Sequence, residues 1–562
     1  MQENTTFDAI VVGSGITGGW AAKELTEKGL KTLVLERGRQ VEHVKDYPTT
    51  NDAPWQFPHR GRATAEDKEN HPVQHRVYAF NEGTRHWWVN DNDHPYTTPE
   101  DKPFAWIRGY HVGGRSIMWG RQCYRWSDYD FEANLKDGVG VDWPIRYRDI
   151  APWYDYVERF VGISGKAEGI PQLPDGQFLP PMEMNCVEKH VKSAIENTWG
   201  DRKMTIGRVA NLTREHNGRT PCQHRNLCYR GCPYGAYFSS NSATLPAAAA
   251  TGNLTLRPDS VVESVLFDKD TRRATGVRVI DANTGQDIEY KAKVVFLCAS
   301  TLGSTFILLN SANEEFPDGL ANSSGALGKY LMDHDYSVRV GARMEGFDDK
   351  YYSGARPNGI YIPRFRNIED KHPDFIRGYG FQGGGSRTNW NSGFSKPGFG
   401  GAFKDSLTHP GPWSMRLVGF GECLPYEDNA VSLNKDVLDK HGLPTLHISA
   451  TFRENEKAMR DDIATTASEM LEAAGGKDIQ VQVQEVTPGF CIHEMGTARM
   501  GRDPKTSVLN KWNQAHDVDN LFVTDGACMT SSACQNPSIT YMALTARAVD
   551  YAVKELKKGN LS

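Results

Sequence analysis

Residues 8–18 of this chain are Asp-Ala-Ile-Val-Val-Gly-Ser-Gly-Ile-Thr-Gly, and residues 31–36 are Lys-Thr-Leu-Val-Leu-Glu. The apolar, β-branched residues before the glycines predict a buried parallel strand, and the segment from Trp20 to Leu25 predicts a helix. A second predicted strand ends at Glu36. Strand, glycine turn, helix, strand and terminal acid within one short unit predict a dinucleotide-binding βαβ fold.

Three glycines and one acid each have a physical task in such a unit. Gly13 permits the tight turn, Gly15 lets the backbone approach a pyrophosphate, and Gly18 allows close packing of the helix. The amino end of the helix stabilises the phosphate charge, and Glu36 would accept hydrogen bonds from ribose hydroxyls. This unit alone does not distinguish NAD from FAD.

The composition excludes several other classes of protein. Of 562 residues, 64 are Lys or Arg and 70 are Asp or Glu, which gives no electrostatic footprint for nucleic acid or an anionic membrane. No stretch approaches the ~18 apolar residues that a membrane-spanning helix needs. The first residues lack the basic region and apolar run of a cleaved export signal.

Three later segments carry small residues: the first is a glycine-rich stretch, for which a plain loop is the alternative, and the other two follow predicted strands. A glycine-rich stretch surrounds Gly113 and Gly114, whose missing side chains would let the backbone lie against a flat ligand. A strand over 293–297 runs into a turn of small residues at 298–304. Near the carboxyl end, a strand reaches Asp525, and a helix is predicted from Pro537 to about residue 556.

With these segments the chain resembles the glucose-methanol-choline (GMC) family of flavin oxidoreductases, whose motifs it carries in the family's order. They are Gly13-Ser14-Gly15 with Glu36, Gly113-Gly114-Arg115-Ser116, Cys298-Ala299-Ser300-Thr301-Leu302-Gly303-Ser304, His493-Glu494-Met495-Gly496-Thr497, and Asp525 through Asn536-Pro537. The resemblance implies FAD rather than NAD. The implied FAD-binding residues are Gly13, Gly15, Gly18, Glu36, Gly113, Gly114, Arg115, Ser116, Val262, Ser300 and Asp525.

The resemblance also implies that FAD is bound non-covalently. In some relatives a His near the glycine pair forms a covalent bond to the flavin. Met118 stands at the matching position here, and a thioether cannot form that bond.

The resemblance further implies an α/β fold, with a Rossmann-like FAD-binding domain and an inserted α+β substrate domain on a mostly antiparallel sheet. Alternating apolar and polar residues, as in Tyr336-Ser337-Val338-Arg339-Val340, predict strands with one buried face. The polar, Trp-rich segment 46–104 is predicted to cross a surface. We assign 1–45, 105–135, 205–335 and 485–562 to the FAD-binding domain, and 136–204 and 336–484 to the substrate-binding domain.

His493 and Asn536 are the predicted catalytic residues. Oxidation of an alcohol needs a group that takes the hydroxyl proton, and a neutral His suits this role. His493 precedes Gly496-Thr497 at the spacing of the family's catalytic His, and Asn536 falls on the family's second active-site position. An Asn cannot act as a base, but its amide can hold the substrate oxygen and complement negative charge there.

Cys222, Cys228 and Cys232 have the spacing C-x5-C-x3-C, and Pro233 follows them. Three thiolates held this closely suit an iron–sulfur cluster, and the segment resembles that of bacterial FAD-dependent glucose, fructose and gluconate dehydrogenases, some of which hold a [3Fe-4S] cluster there. A zinc site that adds His224, or three reduced thiols in a loop, are the alternatives. The other cysteines are predicted to be buried thiols: Cys123, Cys186, Cys298, Cys423, Cys491, Cys528 and Cys534.

These features predict the catalytic subunit of an FAD-dependent sugar dehydrogenase that passes electrons through the cluster to a cytochrome c-type acceptor. Residues 29–125 resemble glucoside 3-dehydrogenases, which form 3-keto sugars. A small partner subunit carrying the export signal would make the protein periplasmic. The alternatives are a cytoplasmic GMC-type sugar or alcohol oxidase that uses oxygen and has a structural Cys cluster, and a flavin-bound electron-transfer or assembly partner without a substrate of its own.

Overall fold

The computed structural model describes residues 5–352, 354–390, 393 and 397–561. The strands in these residues are β1 (Thr6–Val12), β2 (Thr32–Leu35), β3 (Ile163–Ser164), β4 (Phe178–Leu179), β5 (Thr205–Ile206), β6 (Leu254–Arg257), β7 (Ser260–Asp268), β8 (Arg273–Asp281), β9 (Asp287–Leu297), β10 (Val338–Met344), β11 (Ile360–Ile362), β12 (Tyr379–Arg387), β13 (Trp413–Gly421), β14 (Ala430–Leu438), β15 (Pro444–Ser449), β16 (Lys477–Val483) and β17 (Leu521–Val523).

The helices are α1 (Ile16–Glu27), α2 (Ala65–Asn70), α3 (Asp128–Phe131), α4 (Ala133–Asp137), α5 (Tyr147–Val161), α6 (Cys186–Thr198), α7 (Leu245–Ala250), α8 (Thr301–Asn310), α9 (Gly400–Ser406), α10 (Glu454–Ala473) and α11 (Ser538–Lys557). The predicted βαβ unit at the amino end is present as β1, α1 and β2. Among the described helices, none combines the length and the apolar character that crossing a lipid bilayer requires.

The first sheet has the strand order β6-β2-β1-β9-β8-β7, and β17 also pairs with β9. Strands β6, β2, β1, β9 and β17 run parallel, whereas β8 is antiparallel to both of its neighbours. Because the parallel strands end at one edge, Gly13, Glu36, Ser300 and Asp525 all follow carboxyl ends at that edge. Ligands of open α/β sheets bind at this edge.

The second sheet is antiparallel and has the order β16-β10-β13-β12-β11-β5. Helices α6 and α10 pack on one face of it, and burial alternates along β10 and β13. The predicted alternation therefore lies on real strands with one buried face. Strand β5, at the start of the segment assigned to the FAD-binding domain, completes the edge of this second sheet.

Several segments pack differently from their predicted surroundings. Helix α5, within the predicted substrate-binding segment 136–204, packs against α11 beside the first sheet, and the β14–β15 ribbon packs against α8. A ring contact holds α5 in this position, since the ring centroid of its Phe160 lies 5.3 Å from that of Trp20 on α1. The segment 46–104 buries Trp87 and Trp88, so it contributes to a hydrophobic core as well as covering the surface.

Candidate active site

A cavity of about 730 Å³ lies where the carboxyl edge of the first sheet meets the open face of the second sheet. Most of the predicted site residues line it, from the amino-terminal turn to the last strand. The lining residues among them are Gly13, Gly15, Glu36, Gly114, Arg115, Ser116, Val262, Ser300, His493, Asp525 and Asn536, and Met118 lines it as well. The structure thus brings distant parts of the chain to one site.

Gly18 and Gly113 are not among the lining residues, and their role is close packing of the backbone. A Cβ atom at Gly18 would lie 1.9 Å from the carbonyl oxygen of Gly13. At Gly113, where φ is +87°, a Cβ atom would lie 1.6 Å from Oδ1 of Asn241. Both glycines therefore allow the turns that shape the cavity, without facing into it.

The amino end of α1 fits a bound phosphate group. Gly15 is the N-cap of α1 and has no side-chain capping bond, so the first amides of the helix are left for a ligand. A Cβ atom at Gly15 would meet nothing within 4 Å, and one at Gly114 would lie 3.6 Å from the Cα atom of Gly15. The two glycines leave a narrow open space in front of the helix.

Six polar atoms of residues that line the cavity have no hydrogen-bond partner among the described residues: Arg37 Nε, Trp88 Nε1, His94 Nδ1, Arg108 Nε, Arg121 Nε and Thr445 Oγ1. These atoms are buried within the cavity wall and have almost no surface of their own. The fit to a dinucleotide therefore rests on the glycine turn and the uncapped amino end of α1.

Glu36 is held at the end of β2 by the turn after β1. One carboxylate oxygen accepts hydrogen bonds from the amide and hydroxyl of Ser14, at 3.1 and 2.5 Å, and the other accepts from the amide of Gly38 at 3.0 Å. Burial raises the pKa of Glu36 above its ordinary value. Glu36 also lines the cavity, where the predicted ribose would lie.

An ion pair connects the glycine-rich turn to the segment that carries His493. Arg115 donates from both terminal nitrogens to the two carboxylate oxygens of Glu494, at 2.9 and 3.0 Å, and it donates to Oγ of Ser300 at 2.8 Å. A paired fork of this kind is geometrically specific. Arg115 therefore joins the glycine-rich turn to the turn after β9 and to the segment that carries His493. It also lines the cavity.

The backbone around His493 is held by one buried carboxylate. Asp333 accepts the amide hydrogens of Gly489, Cys491 and His493 at 2.8, 3.0 and 3.0 Å. Burial, with a smaller contribution from Glu494, raises the pKa of Asp333 to about 7. Ile492 adopts φ +67°, a conformation that β-branched residues rarely adopt, so these three bonds hold a strained loop in place.

The predicted catalytic pair is assembled. Nε2 of His493 lies 3.3 Å from Nδ2 of Asn536, and Gln382 on β12 donates from Nε2 to Oδ1 of Asn536 at 2.6 Å. Because Gln382 occupies the amide oxygen, the amide nitrogen of Asn536 faces His493. That nitrogen can only donate, so Nε2 of His493 carries the lone pair in this arrangement.

His334 fixes the same tautomer from the other side of the ring. Its Nε2 lies 3.2 Å from the carbonyl oxygen of Ser532, to which it must donate, and its Nδ1 is therefore an acceptor. Nδ1 of His334 lies 2.9 Å from Nδ1 of His493, which must carry the proton. Both contacts thus leave Nε2 of His493 unprotonated and turned toward the cavity.

The environment keeps His493 neutral. Burial lowers the pKa of His493 well below its ordinary value of 6.5, and the neighbouring His334 and Arg115 lower it further. A neutral imidazole whose Nε2 lone pair meets only the Asn536 amide can accept a proton from a hydroxyl group that takes the place of this contact. The geometry and the charge therefore both support the predicted role of a base.

His334 and Gln382 contribute to this site, although the sequence analysis did not select either of them. In the sequence, the only local indication of a role for His334 is the polar dipeptide Asp333-His334, which lies between the apolar residues 331–332 and β10. Gln382 lies on an ordinary strand, and nothing in the sequence around it marks a contact with a residue 154 positions away.

The predicted burial of Cys491 and Cys186 is wrong, because both thiols are only half-buried. Cys491 lines the cavity, and its Sγ lies 3.4 Å from Nδ1 of His493. Cys491 lies at the cavity because the hydrogen bonds to Asp333 turn residues 489–493 inward. The other scattered cysteines, at positions 123, 298, 423, 528 and 534, are buried as predicted.

The three cysteines of the predicted cluster line one small second cavity. Backbone amides point at two of the sulfurs: the amide of His224 lies 3.4 Å from Sγ of Cys222, and the amides of 234 and 236 bond to Cys232. Amide donors around thiolates are a feature that tunes iron–sulfur ligation. The three cysteines of the predicted cluster therefore share one cavity with nearby backbone amides.

His224 does not fit the alternative zinc site. Its side chain is exposed and is not among the residues that line the small cavity. The backbone of His224 has φ +52°, which turns the chain between Cys222 and the next cysteine. His224 therefore acts through its backbone, by shaping the loop.

The Cys loop adjoins the large cavity. Cys228 lines the small cavity, and the next residue, Tyr229, lines the large one. Arg121 also lines the large cavity and lies over the rings of Tyr229 and Tyr237, at 5.2 and 5.5 Å from their centroids. Two consecutive residues of the Cys loop thus line the two cavities.

The segment 46–104 holds the Cys loop from outside. The hydroxyl of Thr50 donates to the carbonyl oxygen of Gly231 at 2.7 Å, and Arg230 donates to the carbonyl oxygen of Asp52 at 2.7 Å. Arg225 donates to the carbonyl oxygen of Thr50. These contacts give the loop a fixed conformation between two layers of chain.

Comparisons with known proteins agree with this architecture. Family models described as GMC oxidoreductase match residues 7–336 and 425–545. The chain is 31% identical to 2-methyl-1,2-propanediol dehydrogenase of Mycolicibacterium austroafricanum, over 97% of this chain and 94% of that one. It is 26% identical to the fructose dehydrogenase large subunit of Gluconobacter japonicus, over 99% and 100% of the two chains.

A solved structure shows the same fold. The formate oxidase of Aspergillus oryzae superposes with a TM-score of 0.61 over 100% of both chains, at 13% sequence identity. The chain therefore belongs to the GMC oxidoreductase family, which confirms the predicted family and fold class. Membership implies FAD as the cofactor and a CH–OH group of a sugar or alcohol as the site of oxidation.

Two glycine variants separate the roles of the first turn. Gly15→Ala should leave the fold intact, since nothing lies within 4 Å of its Cβ atom, but should weaken FAD binding tenfold or more, about 1.4 kcal/mol. Gly18→Ala should destabilise the protein by about 1–3 kcal/mol, because the new atom displaces the Gly13 carbonyl. Thermal unfolding and FAD titration of the apoprotein measure both effects, and equal behaviour of the two variants would contradict these roles.

The depressed pKa of His493 predicts the pH dependence of flavin reduction. Because the imidazole stays neutral well below pH 6.5, the rate constant should remain level down through that pH and fall only in more acidic solution. His493→Ala should bind FAD normally and reduce it about 10²–10⁴-fold more slowly. Anaerobic stopped-flow measurements across pH test this, and an acid limb centred near 6.5 or normal reduction by the variant would refute it.

Removing His334 should act through His493. His334→Ala should slow flavin reduction by about 10–100-fold at saturating substrate with little change in KM, because the tautomer of His493 is no longer fixed. Since His334 lowers the pKa of His493, the acid limb should also move to higher pH. His190→Ala is the control, because that ring contacts the Ala474 carbonyl oxygen away from the cavity. An unchanged pH profile would show that His334 has only a structural role.

Proposed function

We propose that this chain is the catalytic subunit of an FAD-dependent sugar dehydrogenase that oxidises a secondary hydroxyl of a glucoside. The observation that carries the proposal is the catalytic pair: Nε2 of His493 and Nδ2 of Asn536 lie 3.3 Å apart at the wall of the large cavity. A hydroxyl group placed between them can give its proton to the lone pair of Nε2 while its oxygen accepts a hydrogen bond from the amide.

The roles of the two residues follow from this geometry. His493 takes the proton of the hydroxyl group on Nε2, and Asn536 donates a hydrogen bond from Nδ2 to the oxygen as negative charge develops on it. Gln382 keeps the amide of Asn536 in the donating orientation. FAD, when bound, accepts the hydride that leaves the same carbon.

The substrate end of the cavity supports a sugar. Tyr336 stacks with Phe420 and with Phe490, at interplanar angles of 18° and 9°, and all three rings line the cavity. Parallel rings of this kind offer a flat apolar surface to a sugar, and amide side chains at Asn358 and Gln382 offer hydrogen bonds. Oxidation at the third carbon, which gives a 3-keto sugar, is supported by the resemblance of residues 29–125.

The position of the Cys loop supports transfer of electrons away from the flavin. We infer that Cys222, Cys228 and Cys232 hold a [3Fe-4S] cluster, since they line one cavity next to Tyr229 at the large cavity. A metal centre beside a flavin suits one-electron export to a cytochrome c-type acceptor. The name of the Gluconobacter relative, a large subunit, supports a partner subunit, and such a partner could carry the export signal to the periplasm.

Metal analysis and anaerobic spectroscopy of the purified protein test the proposal. We expect iron and labile sulfide in the ratio of a [3Fe-4S] cluster, and bleaching of the flavin by glucosides whose products carry a 3-keto group. Cys228→Ser should lose iron and cytochrome c reduction but keep flavin bleaching, whereas Cys186→Ser, on the outer helix α6, should keep all three. Absence of iron with rapid peroxide formation on sugar addition would overturn the proposal in favour of an oxidase.

A further inference from the structure

Two arginines project from the open face of the second sheet into the large cavity. Arg339 lies on β10 and Arg416 on the neighbouring β13, and both line the cavity. In the antiparallel register Arg339 pairs with Val418, and Arg416 lies two residues from Val418 on the same face. The two side chains are therefore diagonal neighbours, within reach of one another.

Neither guanidinium group is neutralised by the protein. Within the part of the chain that the structure describes, no carboxylate forms an ion pair with Arg339 or Arg416. Burial and the nearby Arg339 lower the pKa of Arg416, as expected for adjacent cations. Arg76 adds a third positive charge nearby, 5.2 Å from the ring centroid of Phe490 in the cavity wall.

The carboxylates that line the same cavity are engaged elsewhere. Glu494 pairs with Arg115, Asp439 pairs with Arg37, and Glu36 accepts hydrogen bonds from Ser14 and Gly38. Asp525, at the far edge, accepts a hydrogen bond from Ser304 at 2.5 Å. The chain as a whole has a formal net charge of −6, so an uncompensated cationic pair is a local feature of this wall.

The pair has a fixed relation to the catalytic amide. Arg339, Val418 and Gln382 form one row across β10, β13 and β12, and Gln382 donates directly to Asn536. At the usual spacing of neighbouring strands, Arg339 lies about 10 Å from Gln382 along this row. A substrate oxidised at Asn536 can therefore place a substituent about one sugar ring away between the two arginines.

We propose that Arg339 and Arg416 bind an anionic substituent of the substrate. This inference rests on the proposed function and narrows its substrate class to glycosides that carry a carboxylate, a phosphate or a sulfate group. The planar fork of a guanidinium matches the oxygens of each of these groups, and two forks can hold one anion from two sides. Arg416 is exposed, so a charged group of the substrate can reach it at the surface of this wall.

Matched neutral and anionic substrates test the assignment. Anaerobic flavin reduction is measured with methyl glucoside, methyl glucuronide, and the 6-phosphate and 6-sulfate of methyl glucoside. At least one anionic compound should have a kcat/KM about tenfold or more above that of the neutral one, and added salt should reduce this advantage. The compound with the largest advantage identifies the anion.

The double variant Arg339→Gln/Arg416→Gln should abolish this preference, so that anionic and neutral substrates react with similar kcat/KM. Arg343→Gln is the matched control, because Arg343 lies on the same strand, is not among the cavity-lining residues and pairs with Asp478. The preference should persist in that control. Reduction by the neutral glucoside with no advantage for any anionic compound would overturn this inference and leave the proposed function standing.

Binding without turnover separates the two proposals. Titration calorimetry with methyl glucuronide on the FAD-loaded protein should show binding that the double variant loses and the Arg343→Gln control keeps. If no sugar reduces the flavin but this pattern of binding is found, the anion site stands and the proposed dehydrogenase activity fails. Equal binding by the wild type and the double variant would overturn the anion site.

Discussion

One buried carboxylate, that of Asp333, accepts the backbone amides of Gly489, Cys491 and His493. The loop that it holds includes Ile492 in a left-handed conformation, which costs about 1–3 kcal/mol unless the surroundings enforce it. The next residue, His334, contacts the His493 ring, so one dipeptide fixes both the backbone and the tautomer of the base. The catalytic arrangement therefore depends on a segment that never touches the substrate.

The two sheets contribute different kinds of groups to the site. The parallel strands of the first sheet end at one edge and present turns with free backbone amides, which suits a phosphate-bearing cofactor. The antiparallel second sheet presents side chains from alternate positions, so Gln382, Arg339 and Arg416 face the cavity while α6 and α10 cover the opposite face. The first sheet thus offers a cofactor mainly backbone groups at its turns, and the second sheet offers the proposed substrate side chains.

Local patterns predicted the parts of the structure that local physics determines. The βαβ unit was predictable because a buried strand, a glycine turn and a helical segment are each visible within about 30 residues. His493 and Asn536 were found through the order of family motifs. His334 and Gln382 were not, because their importance arises from contacts across 159 and 154 positions of the chain. The inward position of Cys491 likewise depends on a distant carboxylate, and α5 packs beside the first sheet through contacts that its own sequence does not specify.

The position of β17 next to β9 has a consequence for biosynthesis. The strand at 521–523 completes a sheet whose other members are all present by residue 297, and Asp525 and Asn536 follow it. A nascent chain must therefore keep the unpaired edge of β9 from aggregating until more than two hundred further residues have left the ribosome. A chain that terminates between residues 494 and 520 contains the glycine turn, the Cys loop and His493 but lacks Asn536, half of the catalytic pair.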